Sequence, residues 1–312
     1  MTAKPKASRR AFGETLAELG DRYPNVVVLD ADLAKSTMSG LFAQKYPDRF
    51  FEMGIAEQNM AGVAAGLGSS GKNAFCCSFA CFIAGRFETI KISIAYGRAN
   101  VKVVGTHAGV GIGPDGYSQM GLEDLALMRT LPGFAVYQPA DELETKQLVE
   151  HLCRTEGPAY LRLTRQDLVP VHGEGYRFEP GKLDVLADGE HLALLATGGT
   201  VGPAMQAREV LGAEGIDAAV INVHTIKPID REGLASWAAK VPLMITVEDH
   251  NVLGGMGSAV AEVLAELRGG ARLYRHGIHD TFGESGEPAE LYRHFRLDAE
   301  GIASVAREQL AR

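Results

Sequence analysis

No run of 18 apolar residues occurs anywhere in the 312-residue sequence, so no membrane-spanning helix is expected. Positive charge is in deficit: 31 Lys and Arg against 39 Asp and Glu leave a net charge of −8. That balance argues against a nucleic-acid-binding surface, while leaving room for a local basic pocket. The basic N-terminus, MTAKPKASRR, lacks the apolar core of a secretory leader, and cytoplasm is the expected compartment. Cysteine is scarce. Three of the four, Cys76, Cys77 and Cys81, lie close together, but their spacing fits neither paired zinc knuckles nor a redox CxxC. Their apolar surroundings point to packing. His224, His250 and His276 have no i,i+4 histidine partner and no carboxylate at ligand spacing, so they are read as loop and packing residues and no metal site is expected. No short-period repeat is visible. What remains is an ordinary folded composition, 46% hydrophobic and 22% charged, with enough chain for two domains.

Strand-like and helical stretches alternate along the first half. VVVLD at Val26–Asp30 is a continuous apolar run typical of a strand covered on both faces. Further strands are expected near Phe50, at Asn73–Ser78, Val101–Thr106, Phe134–Tyr137 and Ala159–Leu163. Helices are expected at Ser8–Tyr23, Phe82–Tyr96, from Leu122, and at Asp141–Arg154. This alternation predicts an α/β fold with a doubly wound, mostly parallel sheet over residues 1–168. Residues 169–188, rich in Pro, Gly and His, read as a linker. The alternation restarts over 189–312 and predicts a second, smaller α/β domain.

The stretch Phe50–Gly66, FFEMGIAEQNMAGVAAG, is the most informative. A short apolar strand breaks at Gly54 and leads into a helix of small residues, which should be buried against other elements. Glu57 falls in its first turn, at the carboxyl edge where open α/β sheets bind ligands. An acidic first turn also suits the helix dipole, so the residues alone leave both readings open.

Several segments together resemble the C-terminal half of transketolases, in particular the separate subunit found where that enzyme is split into two chains. They are DADLAKST (30–37), FFEMGIAEQN (50–59), THAGVGIGPDG (106–116), LTRQDL (163–168), HTIKPID (224–230), VEDHNVLGGMGSA (247–259) and DTFGESGEP (280–288). The resemblance implies a thiamine-diphosphate pyrimidine-binding domain followed by a transketolase C-terminal domain. Glu57 then matches the glutamate that hydrogen-bonds the cofactor's aminopyrimidine, favouring the imino form that deprotonates the thiazolium. Phe79 and Phe82 match aromatics against the pyrimidine, and Asp32 a residue near the thiazolium. Arg9, Ser36, His107 and Arg165 match the positions that hold a sugar phosphate, and Asp115 one that faces the substrate hydroxyls.

One position departs from the pattern. The family's DG-x-[ST]-H reads DGYSQ here, placing Gln119 where a histidine is usual. Glutamine can orient a hydroxyl but is neither acid nor base near neutral pH, which points to an unusual ketose donor. The GDG motif that binds the diphosphate and its Mg2+ is missing from the sequence. An N-terminal partner subunit should therefore supply it, in an α2β2 heterotetramer acting on sugar phosphates. The runner-up readings are a 2-oxo-acid dehydrogenase beta subunit, a deoxyxylulose-phosphate synthase-like enzyme, or a non-catalytic regulatory paralogue.

Overall fold

The computed structural model describes residues 4–312; the first three residues of the expected first domain lie outside them. Its larger sheet has seven strands, in the order Thr225–Lys227, Ala135–Tyr137, Ala159–Arg162, Val101–Thr106, Asn73–Phe79, Val26–Asp30 and Phe50–Glu52. All neighbours run parallel except the first pair. The four apolar runs from Val26 to Arg162 are buried along their whole length. Covering both faces does this. Helices Ser8–Leu19 and Glu142–Arg154 pack Phe12, Leu16 and Leu148 on one side, and Met60, Ala61, Ile90 and Ile94 cover the other. Cys76 and Cys77 point to opposite faces of one strand and are buried, as expected from their surroundings. Burial pushes the Cys76 thiol up to about 12, which makes it inert.

The second sheet has five strands, ordered Arg272–Ile278, Leu243–Asn251, Leu192–Ala196, Ala218–Asn222 and Asp184–Ala187, the last antiparallel. Helices Val201–Ala213 and Ala299–Leu310 cover one face, and Arg231–Lys240 and Met256–Ala265 the other. Lys6–Ala7 pairs with Asp167–Leu168 as a short antiparallel ribbon.

Four local expectations are corrected. Asp184–Ala187, within the stretch read as linker, is the edge strand of the second sheet. Thr225–Lys227, from the second half, completes the first sheet by pairing with Ala135–Tyr137. The expected helix 82–96 begins at Ala80 and is interrupted at Gly85–Arg86 before a π-helical turn at Ile90–Tyr96. Helix Glu57–Ser69 buries only the face bearing Met60, Ala61, Ala64 and Ala65, while Gln58, Asn59, Gly62, Val63 and Gly66 are exposed. A single sheet face covers one side of a helix, and among the described residues no other element covers the remainder.

Candidate functional site

Most predicted site residues gather at the carboxyl edge of the larger sheet, because they follow the ends of parallel strands; Arg9 comes instead from the start of helix Ser8–Leu19. Asp32 follows Val26–Asp30, Glu57 follows Phe50–Glu52, Phe82 follows Asn73–Phe79, His107 follows Val101–Thr106, and Arg165 follows Ala159–Arg162. Gly54, at φ +67°, turns the chain between the second of these strands and its helix. Glu57 is the first residue of its helix, after Ala56 at the cap. Its carboxylate is 6% exposed and accepts a hydrogen bond from Ser78 Oγ at 3.1 Å. That contact turns Glu57 toward the strand that leads into Phe79 and Phe82.

Phe79 is 6% exposed, its ring stacked 3.7 Å from His107 and 5.5 Å from Phe82 between centroids. Phe82 keeps an accessible edge on a cavity of about 540 Å³, shared with Cys81, Tyr117, Met120 and Phe282. Of the two aromatics, Phe82 is the one open to a ligand.

Arg9 and Arg165 are brought together by their neighbours: Ser8 Oγ lies 3.0 Å from Thr164 Oγ1 and accepts from the Thr164 amide. Arg9 Nη1 donates to the Ser36 carbonyl at 2.5 Å and reaches His107 Nε2 at 3.1 Å. Ser36 thus meets Arg9 through its backbone rather than its hydroxyl. Because a guanidinium only donates, His107 Nε2 must be the acceptor and its proton sits on Nδ1, facing Thr106 Oγ1 at 2.8 Å. Burial, reinforced by Arg9 and Arg165, pushes the imidazole down to about 3. Arg9 is likewise lowered by burial and then by Arg165, and its Nε is buried without a partner. Arg165 donates to the Ile112 carbonyl at 2.6 Å and lies 3.5 Å from Asp115. Two crowded guanidiniums, one with an unpaired buried donor, form a corner suited to a dianion.

Asp32 and Asp115 are exposed, and Gln119 is half-buried, its carbonyl accepting from the Cys81 thiol at 3.2 Å. Asp32 takes a left-handed conformation, φ 63°, fixed by its amide's bond to Glu52. Sequence reasoning missed Asp30, which is fully buried and accepts from Leu33 N, Thr37 Oγ1 and Ser39 Oγ at 2.6–2.8 Å. Burial raises it to about 6. Asp30 orders the turn that carries Asp32 and Ser36, and the acidic end of an otherwise apolar strand was its one signal in the sequence.

His224, His250 and His276 are buried and bonded separately, to Thr225, to Ala126 and Asn251, and to Arg296. A different group, Glu144, His172 and Asp184, brings ligand-type atoms within 4.8 Å of one another. Those atoms are engaged with protein: His172 lies 2.9 Å from Asp141 and 2.8 Å from Asp184, and Tyr176 donates to Glu144. Burial opposes charge on His172, but its bonds to Asp141 and Asp184 outweigh it and raise the imidazole to about 10. The imidazolium supplies the positive charge this cluster needs.

Known proteins resemble this chain over nearly its whole length. Residues 4–170 match the transketolase pyrimidine-binding domain and residues 181–302 the transketolase C-terminal domain. A putative transketolase C-terminal section from Methanocaldococcus jannaschii is 44% identical over 308 residues, covering 98% of this chain and 96% of that protein. A 6-deoxy-6-sulfo-D-fructose transketolase subunit from a Clostridium species is 38% identical, covering 96% and 93%. A solved split-gene transketolase, described as an inactive beta4 tetramer, superposes with a TM-score of 0.90 at 45% identity, covering 98% of each chain. From its carboxylate-and-arginine sheet edge to its second sheet, this chain belongs to the transketolase family.

Proposed function

We propose that this chain is the pyrimidine-binding and C-terminal subunit of a two-chain, thiamine-diphosphate-dependent transketolase. It moves a two-carbon ketol unit between sugar phosphates. The observation that carries this reading is one sheet edge holding a nearly buried carboxyl, Glu57, beside the Arg9–His107–Arg165 corner. When bound, the cofactor supplies an acidic thiazolium carbon and an electron sink for the ketol fragment. The residues here fit its pyrimidine end. Glu57 would hold a proton toward the ring nitrogen, fixed by Ser78, and Phe82 would lie against the ring. Arg9 and Arg165 would bind the anionic end of the sugar, with His107 spacing them. Asp32, Ser36, Asp115 and Gln119 would orient cofactor and hydroxyls.

The diphosphate and Mg2+ fall to an N-terminal partner subunit with the GDG motif, in an α2β2 heterotetramer in the cytoplasm. No helix among the described residues is long and apolar enough to cross a membrane. The catalytic edge belongs to the first domain, whose sheet is completed by Thr225–Lys227, and the connecting stretch ends where Asp184–Ala187 enters the second sheet. Gln119 and the sulfofructose relative support an unusual anionic ketose donor. The two relatives above are described as a transketolase C-terminal section and a transketolase subunit, which favours this reading over a dehydrogenase or a synthase.

The test is reconstitution. Mixed with an N-terminal transketolase subunit, thiamine diphosphate and Mg2+, the chain should transfer ketol units, and Glu57→Gln should lose roughly 10²–10⁴-fold in rate with the fold intact. Ketol transfer by this chain alone, or full turnover by Glu57→Gln, refutes the proposal.

A further inference from the structure

The glycine-dense loop Ala108–Gly121 carries Asp115 and Gln119 and begins directly after His107. The second half of the chain backs onto it at three left-handed glycines. A methyl group at Gly109 would fall 2.0 Å from Asp249 Oδ2, one at Gly113 3.1 Å from Pro288, and one at Gly116 2.5 Å from Ser285 Oγ. The loop is closed on itself by Gly109 N donating to the Gly121 carbonyl at 3.0 Å, and the Leu122 carbonyl just beyond accepts from Asn251 N at 2.9 Å.

One fully buried guanidinium ties these pieces together. Arg162 Nε donates to Asp124 at 2.8 Å, Nη1 to Asp249 Oδ1 at 2.6 Å, and Nη2 to the Gly121 carbonyl at 2.9 Å and the Asp249 carbonyl at 3.2 Å. The other oxygen of Asp249 accepts from Tyr292 Oη at 3.3 Å. Tyr292 in turn accepts from Gln166 Nε2 at 2.8 Å, on the residue next to Arg165. Asp249 therefore stands between the staple of the loop and the segment bearing the anion-binding arginine. A buried, multiply bonded ion pair is a weak source of stability but a strong fixer of geometry.

We propose that Asp249, held by Arg162 and Tyr292, is a positioning residue through which the second domain sets the geometry of the substrate loop. This rests on the transketolase reading of that loop. It acts on sugar binding rather than on Glu57, which Ser78 holds at the cofactor's pyrimidine end from a separate element.

The test uses the reconstituted two-chain enzyme with Tyr292→Phe and Gly109→Ala, each compared with wild type; Asp249→Ala strands Arg162 and is expected to fold poorly. Tyr292→Phe should raise KM for the ketose phosphate about tenfold, the scale of one hydrogen bond, and Gly109→Ala, which drives a methyl group against Asp249, should raise it in the same direction, with kcat little changed in either. Calorimetric affinity for thiamine diphosphate should stay unchanged. An unchanged KM, or cofactor affinity falling in parallel, overturns the proposal. Hydrogen exchange in the full chain supplies a readout independent of turnover. Faster exchange across residues 109–121 in Tyr292→Phe supports the positioning role, and unchanged exchange overturns it. Absence of ketol transfer in wild type overturns only the transketolase reading.

Discussion

At His107 the bond from Arg9 decides which ring nitrogen carries the proton, and burial, reinforced by two neighbouring guanidiniums, keeps the ring neutral. The unfolded chain protonates this imidazole near 6.5, whereas the folded chain resists until about 3. Its contribution therefore favours unfolding as pH falls from 6.5 toward 3. An anion between Arg9 and Arg165 would cancel part of that repulsion, so inorganic phosphate or a sugar phosphate should raise the His107 value in an NMR titration. A value indifferent to phosphate would remove the anion from this corner. Arg165→Ala should cost roughly 1.5–3 kcal/mol in kcat/KM for anionic sugars, the worth of a charged hydrogen bond, and almost nothing for neutral ones such as glycolaldehyde. Equal losses on both would indicate general damage instead. The presence of arginines and a histidine in this corner was legible in motif order. Which nitrogen faces Arg9 was not, because tautomers follow from three-dimensional partners rather than from residue type.

Among the elements, the long apolar strands announced themselves. VVVLD and VKVVGT have no alternation to misread, and they lie where expected. The pieces that escaped sequence reading are short or conditional. Lys6–Ala7 and Thr225–Lys227 are two and three residues long, too brief for any period. Asp184–Ala187 hides behind the Pro- and Gly-rich stretch before it. Arg162 was legible only as a lone charge in AYLRL, with nothing in the sequence to name its partners. The connecting stretch proves anchored through His172, between Asp141 at the cap of helix Glu142–Arg154 and Asp184 at the start of its strand. The groups facing His172 are Asp141, Asp184, Glu144, Tyr176 and, more distantly, His224. Burial pushes Glu144 up to about 7. His172 holds its proton more tightly folded than unfolded, so its stabilisation is complete below pH 6.5 and disappears as pH rises through about 10. His172→Gln should lower stability by roughly 3–5 kcal/mol near neutrality, the cost of breaking a buried pair. Urea titrations should show that gap narrowing toward pH 10; a gap independent of pH would mean that His172 acts through packing alone.

For the molecule as a whole, the consequence of Thr225–Lys227 concerns which pieces of the chain can be separated. The second half lends the first its outermost strand, and the stretch between them is tied down by His172 at Asp141 and Asp184. A fragment ending near residue 170 would leave Ala135–Tyr137 as an open edge, and open edges recruit strands from other chains. Such a fragment should elute from a sizing column as oligomers and aggregates, and adding residues 171–312 in trans should return it to a one-to-one complex. A monodisperse, monomeric fragment would show that the borrowed strand is dispensable. For two intact copies to trade C-terminal halves, His172 must first leave Asp141 and Arg162 must leave Asp249, so those two buried ties guard the single chain against an intertwined pair whose every contact it already contains.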